Sequence, residues 1–203
     1  MMNSVNTVNL KITLKFVSNF RMLKQDNYID GVNKILASTN EDFIPSLFER
    51  LDYGVTLEDK VRFRTEEKLN DGFHYALALN EKDEVIGFTE FKLKTSEDNM
   101  KTLNIGTSAV SKSFHGQGVA KMLYGFIDEL AFKLKVGAVY RRTWALNTRQ
   151  LRLYEKFGYS EVSREINGRG VGNDSITFCK LIVYWVDKGI LQWISLNHLC
   201  CIR

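Results

Sequence analysis

The stretch Phe114-His115-Gly116-Gln117-Gly118-Val119-Ala120-Lys121 constrains this chain more than any other. It lies between an apolar, strand-like run from Leu103 to Val110 and an amphipathic, helix-like run from Met122 to Leu134. A glycine-rich turn that joins a strand to a helix can bind an anion. Gly116 and Gly118 carry no Cβ, so a phosphate can approach the backbone closely. The N–H groups that open the following helix have no intrahelical partner and sit at the positive end of its dipole. Lys112 and Lys121 flank the turn and add charge.

Spacing excludes two familiar phosphate loops. A Walker loop requires Gly, four residues, then Gly-Lys-Ser/Thr, but Lys121 follows Ala120 and precedes Met122, so the hydroxyl that would hold magnesium is missing. A dinucleotide fingerprint needs a third glycine that packs the helix on the sheet, and that place is taken by the long cation Lys121. The pattern that fits is Q/R-x-x-G-x-G/A, read as His115-Gly116-Gln117-Gly118-Val119-Ala120.

Further on, a second strand-like run ends at Ala145 and leads into Asn147-Thr148-Arg149-Gln150-Leu151-Arg152-Leu153-Tyr154-Glu155-Lys156-Phe157-Gly158-Tyr159. Asn147 suits the mouth of a helix, where its side chain caps exposed N–H groups or turns toward a ligand amide. Leu151 and Tyr154 are spaced by three and Leu153 and Phe157 by four, which gives the helix one packed side with a tyrosine near its rim. Gly158 supplies a left-handed C′ residue before a strand that starts at Tyr159. Alone, Tyr154 reads first as a core aromatic, and only its context gives it another role.

Taken in order, with a helix and a strand between them, the two segments resemble the two signatures of the Gcn5-related N-acetyltransferase (GNAT) superfamily. The second is commonly written N-x-R-A-x-x-L-Y-x-K-x-G-F. The resemblance implies a loop at His115, Gly116, Gln117, Gly118, Val119, Ala120 and Lys121 that takes the pyrophosphate of acetyl-CoA. It also implies that Ala109 and Val110, at the end of a strand splayed from its neighbour, offer backbone groups to pantetheine, and that Asn147 contacts the pantetheine arm or the acetyl region. Tyr154 takes the place of the tyrosine that returns a proton to the departing thiolate. A phenol with a pKa near ~10 is still protonated at neutral pH and can serve a thiolate of pKa ~8 to 9. Two positions depart from the pattern. His115 replaces Gln or Arg, so one phosphate contact is made by an imidazole or is absent with His115 as an exposed loop residue; Gln150 stands where Ala is common.

Length and composition bound the rest. With 203 residues, 44% hydrophobic and 26% charged, the chain suits one well-buried core with appendages. The net charge of +4 comes without a block of five basic residues, and Arg141-Arg142 and Lys11 to Lys15 are too dispersed for a nucleic-acid patch. Cys179, Cys200 and Cys201 have no metal-type spacing, so no metal site is expected. With no signal peptide pattern at the start, a reducing, bacterial-type cytoplasm is expected.

Along the chain, Val5 to Val17 alternates as a half-buried strand, and Phe20 to Leu23 is a second short apolar run. Asp26 to Ala37 has helical spacing with Asp26 as candidate cap, a helix covers Ile44 to Leu51 with Pro45 in its first turn, and Thr56 with Asp59 resembles a capping box opening a helix to Leu69. Phe73 to Leu79, Val85 to Leu93 and Leu103 to Val110 read as a meander. The expected fold is α/β in the α+β sense, a mixed, mainly antiparallel sheet flanked by helices, as in the GNAT-like fold. Residues 1–19 are an extension or added strand, 20–180 the N-acetyltransferase-like domain, and 181–203 an apolar extension. Within the last, the run Leu181 to Val186 is too short to span a membrane. It extends the last strand and precedes a helix holding Ile190, Leu191, Trp193, Ile194 and Leu196, which packs in the chain or at a homodimer contact.

The expected function is transfer of acetyl from acetyl-CoA to the amine of a small molecule or protein by direct attack, since no serine or cysteine has a local nucleophile-and-base pattern. Glu90 is the first candidate base, as carboxylates near the acceptor often serve in the family, and His74 is the second. A charged residue on an outward strand face is the other reading of each. A noncatalytic acyl-CoA-binding module is the alternative.

Overall fold

A computed structural model describes residues 11–18, 23, 27–50, 56–95 and 99–183, together with the backbone of 184–187 and 190–194. Seven strands form one sheet: β1 (Thr13–Val17), β2 (His74–Leu79), β3 (Val85–Thr95), β4 (Lys101–Val110), β5 (Ala138–Trp144), β6 (Ser160–Glu165) and β7 (Ser175–Leu181). Their order is β1-β2-β3-β4-β5-β7-β6. Every neighbouring pair is antiparallel except β4 and β5, which run parallel. The sheet is therefore mixed and mainly antiparallel.

Both faces are covered, because β2 buries Tyr75 to Leu79 without interruption and its side chains alternate between two cores. Tyr75, Leu77, Leu79 and Phe88 pack under α1 (Tyr28–Ser38), α2 (Leu47–Arg50) and α3 (Leu57–Asn70). Ala76, Ala78, Phe91 and Leu103 pack under α4 (Val119–Lys133), together with Tyr154 of α5 (Thr148–Lys156). On α4 the buried residues Val119, Leu123, Tyr124, Ile127 and Ala131 recur at helical spacing, which holds that helix across the sheet.

The local signals fare unevenly. The capping box forms, with Thr56 Oγ1 accepting from the Asp59 amide at 3.1 Å and the Asp59 carboxylate accepting from the Thr56 amide at 3.4 Å. Pro45 precedes α2, which is shorter than the expected helix. Asp26 lies outside the described residues, as do 1–10 and Phe20 to Met22. The largest departure is at the C-terminus. Where Leu181 to Val186 was expected to extend the last strand and a helix to follow from Ile190, β8 (Val183–Asp187) and β9 (Ile190–Ile194) form a separate antiparallel pair. The β-branched and aromatic content of Val183, Tyr184, Trp185, Val186, Ile190 and Trp193 favours the extended backbone. Leu196, Cys200 and Cys201 lie outside the described residues. Among the described residues no helix is long and apolar enough to cross a membrane, and no cluster of His, Cys, Asp or Glu is placed to hold a metal.

Candidate active site

The parallel ladder of β4 with β5 lasts only from Thr102↔Ala138 to Asn104↔Tyr140. Beyond it the strands part, β4 continuing to Val110 beside β3 while β5 turns with β7. The gap opens a cleft of about 980 Å³ whose walls include Gly106 to Val110, the 114–121 turn, and Trp144, Asn147, Gln150 and Tyr154. Backbone groups on the edge of β4 that faces β5 have no ladder partner along this stretch, so an extended amide-bearing arm can pair with them. Ala109 and Val110 lie there.

At one end of the gap the chain turns through Lys112–Phe114 into α4. Gly116 and Gly118 adopt φ of 77° and 84°, the left-handed region that a side chain disfavours. A Cβ at either would meet nothing within 4 Å, so the space above them is open. Gly118 is the N-cap of α4 and offers no side-chain acceptor. The first intrahelical bond is that of the Met122 amide to Gly118 O at 3.1 Å, which leaves the amides of Val119, Ala120 and Lys121 for a ligand. The two flanking side chains brace the turn: His115 Nε2 donates to Val110 O at 2.9 Å, and Gln117 Nε2 to Ser113 O at 2.9 Å. His115 and Lys121 also line the cleft, whereas Gln117 does not.

Along the same face Tyr154 joins a cluster of four aromatic rings, two of which, Tyr124 and Tyr159, lie against the guanidinium of Arg141. Tyr154 is buried, with its ring 4.8 Å from Phe178, 5.6 Å from Tyr159 and 6.2 Å from Tyr124. Arg141 of β5 is 2% exposed, lies 3.7 Å from the Tyr124 ring centre and donates through Nε to the Tyr159 hydroxyl at 2.9 Å. No carboxylate pairs with it among the described residues, and its Nη2 has no hydrogen-bond partner there. Burial pushes the Tyr154 phenol above its ordinary value even though the Arg141 charge pulls it down, so the hydroxyl is protonated at neutral pH. Asn147 caps α5, accepting from the Gln150 amide at 3.2 Å while its Nδ2 donates to Thr143 Oγ1 at 3.2 Å. Gln150 donates to the Tyr124 hydroxyl and so braces the tyrosines.

The opposite face is built on a bulge. Glu90 of β3 falls where the register with β4 shifts, facing Gly106 and Thr107. It is 1% exposed, accepts from Arg64 Nη2 at 2.5 Å and from the Thr107 amide at 2.8 Å, and Arg64 also donates to Thr107 Oγ1 at 2.7 Å. A Cβ at Gly106 would stand 2.5 Å from Glu90 Oε1, so only glycine lets the carboxylate lie against the backbone there. Burial raises the Glu90 carboxyl, but the Arg64 guanidinium and the Thr107 amide outweigh it and hold the group below its ordinary value. Glu90 thus sits beneath the cleft surface rather than on it. His74 is away from the cleft, its ring between Phe16 and Phe91 and its Nδ1 2.8 Å from Ser18 O. Arg64, Arg141 and Arg169 escaped the sequence reading, because only chain segments far apart bring them to the site.

A model of the GNAT acetyltransferase family matches residues 35–159. No curated protein matches the sequence. Among solved structures, a ribosomal-protein-alanine N-acetyltransferase from Brucella melitensis aligns with a TM-score of 0.63 at 17% identity, covering 83% of this chain and 99% of that one. An aminoglycoside 6'-N-acetyltransferase complexed with coenzyme A gives 0.63 at 17%, covering 85% and 99%. Arabidopsis thaliana NAA60 in complex with a bisubstrate analogue gives 0.58 at 20%, covering 84% and 98%. At these identities the likeness is one of fold. The family match spans the divided strands, the turn at Gly116 and Gly118 and the helix that carries Tyr154, and the chain belongs to the GNAT acetyltransferase family.

Proposed function

We propose that this protein transfers the acetyl group of acetyl-CoA to an amine by direct attack. The observation that carries the reading is the parting of β4 from β5 beside an uncapped helix N-terminus, with a protonated tyrosine lining the same cleft. The amides of Val119 to Lys121 and the Lys121 ammonium hold the pyrophosphate, and the edge of β4 that faces β5, at Ala109 and Val110, holds the pantetheine amides through the backbone groups that the His115 contact to Val110 O leaves open. Acetyl-CoA supplies the activated thioester. Tyr154 gives its proton to the sulfur as the C–S bond breaks, and the buried Arg141 charge favours both the loss of that proton and a nearby thiolate.

The role assigned to Glu90 is support. Its low proton affinity and its pairing with Arg64 make it a weak base, and it fixes the bulge that exposes Gly106 and Thr107 to the cleft. The attacking amine enters uncharged and gives up its proton to water. Incubating the protein with acetyl-CoA and a panel of amines, while following thiol release and acetylated product, tests the assignment. Acceptor-dependent thiol release in step with product is expected; tight CoA binding without it would make the protein a noncatalytic CoA-binding module.

A further inference from the structure

The acceptor side of the cleft carries more positive charge than acetyl transfer needs. Along β5 successive side chains face opposite ways, so Arg141 joins the tyrosines while Arg142 faces the other side. Arg142 is engaged there, donating through Nε to Ser175 Oγ at 2.6 Å and pairing through Nη2 with Glu165. Two further cleft residues, Arg50 at the end of α2 and Arg169 in the β6–β7 connection, have no carboxylate within salt-bridge distance among the described residues. Each is held by other means. Arg50 lies 5.5 Å from the Phe43 ring centre, while Arg169 lies 5.4 Å from that of Trp144 and donates through Nη1 to Ile44 O at 3.1 Å. The Arg169 Nε is shut off from solvent with no hydrogen-bond partner among the described residues.

Arg50 is exposed at the rim of the cleft and Arg169 half-buried, and an anion between them relieves the repulsion of their like charges. Desolvation by the cleft wall and the like charges of Arg169 and Arg64 bring the Arg50 guanidinium down to about 10, and burial together with Arg142 lowers Arg169. Asp42 is the acidic residue among the cleft walls. Guanidinium planes stacked on rings lose little freedom on binding and present paired donors that match an oxyanion. Resting on the acetyltransferase reading, we propose that the acceptor is an anionic amine whose carboxylate or phosphate docks between Arg50 and Arg169.

The test compares acceptors that differ only in the anion. The amino acids, each with its own amide, probe the carboxylate, and phosphoethanolamine with ethanolamine probes the phosphate. We expect kcat/KM to favour the anionic member of an accepted pair by about tenfold or more, chiefly through KM. Arg169→Gln and Arg50→Gln should each shrink that preference toward unity, with acetyl-CoA affinity reporting that the variant is folded. Calorimetry of the same compounds on the CoA-bound protein separates this inference from the reading beneath it. Tighter binding of the acid than the amide, lost in Arg169→Gln, supports the anionic subsite even if no acceptor is turned over. Turnover or binding of amides and ethanolamine equal to or better than that of their anionic partners overturns it, whether or not the protein is an acetyltransferase.

Discussion

On the α4 side of the cleft positive potential comes from the backbone, through free amides above Gly116 and Gly118, whereas on the α3 side it comes from the guanidiniums of Arg50 and Arg169. The first arrangement needs a short run of chain with two left-handed residues and an uncapped helix. The second needs residues from α2 and the β6–β7 connection to meet over a bulge in β4. Buried cations are also handled differently. Arg64 is neutralised by Glu90, while Arg141 lies among tyrosines with no carboxylate within salt-bridge distance among the described residues, so on the proposed reading its charge remains available to a reaction at Tyr154. On the proposed reading the cofactor side is thus a generic backbone device and the acceptor side a particular set of side chains.

The comparison breaks most severely at the buried pair. Glu90→Ala leaves Arg64 uncompensated in the core, and we expect a loss of about 3 to 5 kcal/mol in urea unfolding. A loss under about 1 kcal/mol would mean that Glu90 does not fix the bulge. Gly118→Glu attacks the other side by placing a side chain and a negative charge where we propose the phosphates bind. Acetyl-CoA affinity measured by calorimetry should fall by about a hundredfold or more while the fold survives, and unchanged affinity would remove the pyrophosphate assignment.

Arg141→Met sharpens the contrast between the two buried arginines. Because no carboxylate is left unpaired, stability should change by less than about 2 kcal/mol, while kcat drops about tenfold through loss of the cation beside Tyr154. A stability loss like that of Glu90→Ala with unchanged kcat would give Arg141 a purely structural role. The smallest effect is on pH dependence. Glu90 has a folded-state pKa below its unfolded one, so its contribution is present above about pH 4.3 and lost as pH falls through the folded value. The stability gap between wild type and Glu90→Gln should therefore narrow on acidification below about pH 4; a gap that stays constant would contradict the assigned ion pair.

The legible part of the molecule is the local part. The turn at Gly116 and Gly118, the Thr56 capping box and the Asn147 cap each depend on residues within a few positions of one another, and the sequence carries their geometry directly. The parting of β4 and β5 could be expected only through the family resemblance, since nothing within Leu103 to Val110 distinguishes a paired edge from a free one. The acceptor side was not legible. Glu90 looks like any charged strand residue until the register shift beside Gly106 and the reach of Arg64 from α3 are known, and both are nonlocal. At the C-terminus the spacing of Ile190, Leu191 and Ile194 suited a helix, but β-branched and aromatic residues on both arms of a short connection made the strand pair the better solution.

The proton carried by Tyr154 is the point at which structure and reaction meet most closely. Tyr154→Phe keeps the ring packed against Phe178 and Tyr159 while removing the donor. The steady-state kcat of that variant with acetyl-CoA and an accepted amine, followed across pH, is predicted to fall by about a hundredfold with acetyl-CoA affinity little changed. A wild-type kcat at every pH would contradict the assignment and leave Tyr154 as a core aromatic.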